Sequence, residues 1–313
     1  MSIDKKFIEQ FISVTSKAAL AASFLVGKND KIAADKAAVD SMRTELNNIN
    51  MTGEVVIGEG ALDEAPLLYT GEILGTKNGP NFDIAVDPVE GTNFVANNLP
   101  GGLTVLAVAE KGNLFNAPET YMDKLAVGKE VPKDATNLDF SIEKNIKNIA
   151  EAKNKDINKI TACILDRPRH KKFVEILKKM NVNINFITDG DVAGAISVAD
   201  PNSPNDIYIG IGGGPEGVLA AAALSCLGGQ IQTRLSLDNL EEKRAKLFGI
   251  HDFKKKYNIN DMIKGDVIFS ATGVTDGDLL KGIIDGKDSF TAHTFALHKS
   301  LKINKKVTNI HKK

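Results

Sequence analysis

An α/β protein in two parts is the fold this sequence predicts, and three observations carry it. Two amphipathic helices open the chain and lead into short strand-forming runs. From Lys159 onward strand and helix patterns alternate, which argues for α/β layering with sites at strand ends. At 313 residues the chain is long enough for one large or two medium domains.

In chain order, apolar residues at Phe7, Ile8, Phe11, Ile12, Ala18, Ala19 and Ala22 have helical spacing, and Gly27 is the stop. Asn29 or Asp30 caps a second helix through Leu46. Its face Ile32, Ala33, Ala37, Val39, Met42 and Leu46 reads as buried. Asp35 sits beside that stripe, where an acid either faces water or serves a site. Glu54 to Ile57 is a short strand running into Gly58-Glu59-Gly60 and residues 61–66. Glycines on both sides of Glu59 allow a ligand close to the backbone, or make a flexible loop tip.

Phe82 to Val86 reads as a buried strand, and the segment Asp87-Pro88-Val89-Glu90-Gly91-Thr92 at its end organises the rest of the chain. Pro88 and Gly91 predict a tight turn, and Thr92 a helix N-cap. Several oxygens then crowd one turn at a strand end. Hard divalent cations favour such all-oxygen sites, and bound metals can hold a phosphate and ionise a water.

Leu103 to Ala109 is a strongly β segment. Lys111-Gly112-Asn113 predicts a hairpin turn, with Leu114-Phe115 starting the return strand. Tyr121 is either a core aromatic or a polar-tipped contact to substrate. Ser141 to Lys153 is helical but carries the weakest core signal, which places a domain boundary just after it and divides the chain into 1–155 and 156–313. Strands then read at Ile160 to Leu165, Ile184 to Thr188, Ile207 to Gly212, Ile231 to Leu235, Val267 to Ala271 and Phe290 to Leu297. Helices read at His170 to Met180, Val192 to Val198 and Pro215 to Leu227. The lysine-rich stretch Lys302 to Lys313 reads as mostly solvated.

A formal net charge of -1 gives no basic field for nucleic acid, and the absence of tryptophan weakens base stacking. No apolar run reaches the roughly 18 residues of a membrane span. The first residues lack a secretory core, so a bacterial-type cytoplasm or an organelle lumen is the expected location. Cys163 and Cys226 sit in apolar runs and read as buried thiols, with a single disulfide as the weaker alternative. His170, His251, His293 and His298 show no metal-ligand spacing.

Three further strand ends carry chemistry. Asp166-Arg167-Pro168-Arg169-His170 places two arginines and a histidine at a helix entrance, a pattern that suits a bound anion. Asp189-Gly190-Asp191 suits sugar hydroxyls or helix capping. Gly212-Gly213-Gly214-Pro215-Glu216-Gly217 ends a strand and opens a helix, a weak phosphate signal with an acid that can complete a metal site.

As an ordered set, these segments resemble the class II (GlpX-type) fructose-1,6-bisphosphatases from roughly Asp35 to Gly282. The resemblance includes Asn116-Ala117-Pro118 with Tyr121-Met122, and Ala271-Thr272-Gly273-Val274-Thr275-Asp276-Gly277. It implies a layered αβαβα fold of the lithium-sensitive sugar phosphatases, two subdomains with the active site between them. Inositol monophosphatases have an aspartate where this chain has Glu90, which places the resemblance on the class II branch. The implied reaction is hydrolysis of the 1-phosphate of fructose 1,6-bisphosphate in gluconeogenesis, with sedoheptulose 1,7-bisphosphate as the alternative substrate. Two or three Mn2+ or Mg2+ ions are implied, held by Asp35, Glu59, Asp87, Glu90 and Glu216, with Asp35, Glu59 and Thr92 in catalytic roles. Implied substrate contacts are Glu90, Gly91, Thr92 and Tyr121 in the first half of the chain. In the second half they are Arg167, Pro168, Arg169, Asp189, Gly190, Asp191, Gly213 and Glu216. A homodimer or homotetramer is implied as well. One departure stands out: the family's last strand contains Met-Arg-Ser-Lys, and here that region reads Thr294-Phe295-Ala296-Leu297-His298-Lys299-Ser300, without the arginine.

Overall fold

The computed structural model describes residues 2–59, 67–247 and 249–313. Gly60 and residues 61–66, beside Glu59, lie outside the described residues. The chain forms two compact units. It begins with helices α1 (Lys6–Ser23) and α2 (Lys31–Asn47), then strands β1 (Thr52–Ile57), β2 (Ile73–Leu74) and β3 (Asn81–Glu90), helix α3 (Thr92–Ala96) and strand β4 (Leu103–Glu110). The second unit, Ala117–Met262, opens with β5 (Tyr121–Val127), α4 (Ile142–Ala152), β6 (Thr161–Leu165), α5 (Lys171–Lys179) and β7 (Asn183–Ile187). It continues with α6 (Asp191–Ser197), β8 (Ile207–Gly213), α7 (Gly214–Leu227), β9 (Gln230–Ser236), α8 (Asn239–Leu247), β10 (Tyr257–Asn258) and α9 (Ile259–Met262). From Ile263 the chain returns to the first unit with β11 (Val267–Gly273), β12 (Ile284–Asp285), β13 (Ser289–His298) and β14 (Ile303–Lys312).

In the first unit the strands form one sheet in the order β12-β13-β11-β4-β3-β1-β2, with β14 paired to β13. Helix α1 packs on β4, β11 and β13, and α2 packs on α1. Phe7 and Phe11 stack on each other and meet Phe82 of β3 edge-on. Asp30 caps α2, its side chain accepting from the Ala33 N–H at 2.9 Å. The buried stripe of α2 is Ala34, Ala38, Val39, Met42 and Leu46. Ile32, expected inside, is 82% exposed, because the first turn of the helix points it away from that stripe. A seam of hydroxyls lies under α1: Thr15 Oγ1 meets Ser270 Oγ at 2.8 Å and receives the Thr272 hydroxyl at 2.9 Å. Buried hydroxyls need such partners, and here they find one another.

The second unit holds a six-stranded sheet in the order β10-β9-β5-β8-β6-β7. Leu125, Val127, Ile207 and Ile209 point to one face, where Ile146 and Ile149 of α4 and Leu177 of α5 pack on them. Alternate residues point the other way, so Lys124 and Tyr208 meet Asp191 of α6 on the opposite face. Every residue of α7 from Gly217 to Leu224 is buried, as expected of a helix apolar on all sides.

Elsewhere in the fold the structure departs from the sequence expectation in three further places. The boundary between the units does not fall near residue 155. Helix α4, polar as it looks, buries Ile146 and Ile149 in the core of the second unit, and β5 pairs with β8 and β9 in that unit's sheet. The first unit also recovers the chain after Met262, because β11 pairs between β4 and β13. Leu114 makes a single bridge to Ile263 and starts no return strand. Its N–H is taken by the buried Asp83 carboxylate at 3.0 Å, which draws the chain out of the ladder. Finally, residues 303–312 form a full strand along β13. Ile303, Lys305, Val307, Asn309 and His311 are its half-buried side, while Ile310 on the outward side is 69% exposed and masks the alternation.

Among the described residues, no helix is long and apolar enough to cross a membrane. Neither cysteine is in a disulfide; Cys163 is buried and Cys226 half-buried. Removing residues 302–313 should lower the thermal midpoint by at least about 5 °C, since losing a paired strand costs more than about 1–2 kcal/mol. A melt unchanged by that truncation would show that β14 is dispensable.

Candidate active site

β3 does not turn at Pro88. It runs on to Glu90, with Asp87 opposite Val105 and Glu90 opposite Leu103 of β4. Three steps along β3 match two along β4, which makes a one-residue bulge. Proline is tolerated there because the ladder is interrupted. In an unbroken strand, side chains three residues apart point to opposite faces. The bulge brings them to one side, and a carboxylate oxygen of Asp87 lies within 4.8 Å of one of Glu90.

The neighbouring strand supplies a third acid. β1 runs parallel to β3 with Ile57 opposite Ala85. Glu59 and Asp87 each lie two residues further on, at the same end of adjacent strands. Gly58 is required before Glu59, because a Cβ there would sit 2.0 Å from the Leu68 carbonyl oxygen. Asp35, on α2, meets Glu59. Its carboxyl hydrogen-bonds Glu59, and burial holds its pKa above the usual carboxylate value, an effect that bond only partly offsets. Its Oδ1 is buried with no hydrogen-bond partner among the described residues. Two carboxylates in contact need a shared proton or a cation between them.

Gly91, not Thr92, occupies the N-cap position of α3. A capping threonine needs extended backbone, whereas this position is left-handed, with φ of 80°. A side chain there would also strike Phe94 at 2.6 Å. Thr92 becomes the first helical residue, half-buried and two positions after Glu90.

In the second unit the Gly212-Gly213-Gly214 run houses acids. A Cβ on Gly212 would lie 1.8 Å from Asp191 Oδ2, and one on Gly213 would lie 1.9 Å from Glu216 Oε2. Glu216 stands in the first turn of α7. Its Oε2 is buried with no hydrogen-bond partner among the described residues. Burial pushes its pKa up, Asp191 pushes it further, and Lys124 works against both. Asp191 follows the left-handed Gly190 and opens α6. It is buried and paired to the equally buried Lys124 at 2.7 Å. Removing one partner of such a pair costs on the order of 3–5 kcal/mol. Asp189 is turned elsewhere, 3.8 Å from the Arg167 guanidinium.

The arginine-histidine entrance splits into different roles. Arg169 donates through Nε and Nη2 to the Ile211 carbonyl at 2.9 and 2.7 Å and lies over the ring of Tyr121. Tyr121 is 49% exposed, which excludes the core reading. Pro168 begins the short 3-10 turn Pro168–His170 between the two arginines. His170 is a buried strut: Nδ1 donates to the Leu165 carbonyl at 2.7 Å, and Nε2 accepts from the Ile211 N–H at 2.7 Å. That second bond requires a neutral ring, so His170 is no anion ligand. Lys124 and Tyr208 are site neighbours that the strand pattern hid; a lysine at a position alternating with Leu125 and Val127 in a strand was the available signal.

Other buried acids show what full compensation looks like. Asp206 is buried, which alone would raise its pKa. Ion pairs with Lys153 and Lys155 and the Thr161 N–H bring it below the usual value. Asp266 is likewise lowered against burial, by the N–H groups of Ile3 and Ser300 and by His298. At Asp35, among the described residues, the relief from burial comes from another acid. An all-oxygen donor set with an orphaned buried oxygen fits Mg2+ or Mn2+.

Burial lowers the pKa of His170. The unfolded chain, with histidine near 6.5, then binds more protons than the folded one, and stability falls as pH drops from about 6.5 through the folded value. His170→Gln should flatten that part of a plot of melting temperature against pH between about 8 and 5. An unchanged slope would remove His170 as its source.

The family of bacterial fructose-1,6-bisphosphatases, glpX-encoded, matches residues 5–311. The Escherichia coli (strain K12) fructose-1,6-bisphosphatase 1 class 2 is 41% identical over 317 residues, covering 96% of this chain and 94% of that protein. A Synechococcus D-fructose 1,6-bisphosphatase class 2/sedoheptulose 1,7-bisphosphatase is 40% identical over 307 residues, covering 90% and 88%. Among solved structures, a Thermotoga maritima IMPase is similar at 15% identity and a TM-score of 0.34, over 62% of this chain and 72% of that one. With carboxylates at the ends of β1 and β3, and a family match over almost its whole length, the chain belongs to the bacterial, glpX-encoded fructose-1,6-bisphosphatases.

Proposed function

We propose that the protein hydrolyses the 1-phosphate of fructose 1,6-bisphosphate to fructose 6-phosphate and phosphate, as a metal-dependent step of gluconeogenesis. The observation that carries this reading is the acid-to-acid contact of Asp35 on α2 with Glu59, which follows β1, together with the closeness of the Asp87 and Glu90 carboxylates on the adjacent β3. Asp35, Glu59, Asp87 and Glu90, with Glu216 from the second unit, are the ligands of two or three Mn2+ or Mg2+ ions. When bound, such ions supply positive charge to the phosphoryl oxygens and make water acidic enough to react near neutral pH.

The chain's own groups supply the rest. Thr92, at the start of α3 beside Glu90, orients the attacking water through its hydroxyl. Gly91 has no side chain to obstruct the substrate. Arg169, already stacked on Tyr121, presents a pre-organised guanidinium to the distal 6-phosphate. Arg167 does the same across Pro168. Asp189 and Asp191 accept from sugar hydroxyls, and Gly190 and Gly213 allow close approach. Binding the distal phosphate orients the reacting end, so the arginines serve turnover as well as affinity. Family membership favours a homodimer or homotetramer as the active form.

Sedoheptulose 1,7-bisphosphate is the second reading, favoured by the 40% identity to the relative named for both sugars. Phosphate release with Mn2+ should occur with fructose 1,6-bisphosphate and stop in excess chelator. Running both sugars at matched concentrations ranks the two readings. Full activity in chelator would overturn the metal site, and release from neither sugar would overturn the reaction. Thr92→Ala should keep the fold and lower kcat by about 100-fold or more. Parent turnover in that variant would remove Thr92 from the mechanism.

A further inference from the structure

We propose that Lys124 is a positioning residue that fixes the Asp191 carboxylate for recognition of the sugar, a role that rests on the reading of Asp191 as a substrate contact. Lys124 is 1% exposed in the middle of β5, and Asp191 is 6% exposed at the start of α6. Lysine is almost never buried without a partner, and this one makes a short ion pair, Nζ to Asp191 Oδ2 at 2.7 Å, with Glu216 also within its field. The Tyr208 hydroxyl approaches the same oxygen at 3.4 Å. With Lys124 and Tyr208 both on Oδ2, the second oxygen, Oδ1, is the one assigned to a sugar hydroxyl.

The surroundings are shaped to hold this pair in one geometry. A Cβ on Gly212 would fall 1.8 Å from Asp191 Oδ2 and 3.2 Å from Lys124 Nζ, so the ion pair occupies the space a side chain would fill. Gly217 of α7 makes the same allowance, a Cβ there lying 3.3 Å from Lys124 Cε. Stability alone does not explain such a pair, because apolar residues of similar volume often serve a core equally well or better. What a buried pair adds is a fixed orientation. Without Lys124, the Asp191 carboxylate can rotate away from the substrate, which weakens an acceptor of sugar hydroxyls.

The test is a double-mutant cycle of Asp191→Asn and Lys124→Met, read as kcat and KM for fructose 1,6-bisphosphate with Mn2+. Lys124→Met should raise KM by about tenfold or more, as expected for a weakened hydrogen bond to a charged group, with a smaller change in kcat. Asp191→Asn should raise KM similarly. The double variant should match Asp191→Asn, because Lys124 has nothing left to aim. It removes both charges of the pair, so it should fold even if Lys124→Met alone does not, and its comparison with Asp191→Asn still decides the matter. If Asp191→Asn raises KM while Lys124→Met leaves it at the parent value, or adds its own full increment in the double variant, Lys124 has no positioning role. If Asp191→Asn leaves KM unchanged, the assignment of Asp191 itself falls, and that of Lys124 with it.

Discussion

A carboxylate taken out of water needs donors or a cation, and the placement of acids in this protein is governed by how each meets that need. Asp206 has two lysines and a backbone N–H, and Asp266 has backbone N–H groups and His298. Both end below the usual carboxylate pKa, so the folded chain holds them ionised. Asp83 is met by the N–H groups of Leu114, Gly112 and Asn113, though burial still outweighs them. Asp191 has Lys124. Asp35 differs in kind, because its hydrogen-bond partner is the acid Glu59. The contrast separates acids satisfied by cationic or backbone donors from one whose partner is another acid.

Backbone irregularity turns that electrostatic arrangement into geometry. The bulge at Pro88 and Val89 reverses the parity of β3, so two acids three residues apart share a side. A second irregularity interrupts the pairing of β1 with β3 between Val55 and Ile57, just before Glu59. Each adjoins a glycine that no side chain could replace without a clash, Gly58 in one case and Gly91 in the other. Across the second unit the same logic recurs in the Gly212-Gly213 pair, where the missing side chains make room for Asp191 and Glu216. Runs of glycine near a helix start are commonly read as phosphate loops; here the space is taken by carboxylates.

Strand and helix patterns along the chain were legible from residue types. The acids offered as metal ligands stand out in the sequence too, with Glu59, Asp87 and Glu90 as charges at or just past strand ends. Three kinds of feature were not. The parity change at Asp87 is invisible in sequence, because Pro-x-Glu-Gly reads equally well as a turn. His170 looks like part of a cationic anion site beside Arg167 and Arg169, yet its two ring nitrogens are committed to the backbone of Leu165 and Ile211. The polar helix α4 shows its periodicity but hides its part in the core, and the lysine-rich β14 hides even its strand. In all three, long-range partners decide the outcome, and a local reading has no access to them.

The interrupted course of the first unit bears on how the chain is made. The second unit is contiguous from Ala117 to Met262, so a ribosome completes it while the first unit still lacks β11, β13 and β14. Until residues 267–273 emerge, the edge of β4 that later pairs with β11 has no sheet partner. Such an edge is open to pairing with other nascent chains. The apolar face of α1, which packs against β11 and β13, is left partly uncovered over the same interval. Delay between the two halves of that sheet is therefore a hazard during synthesis, and the steps that close it come last.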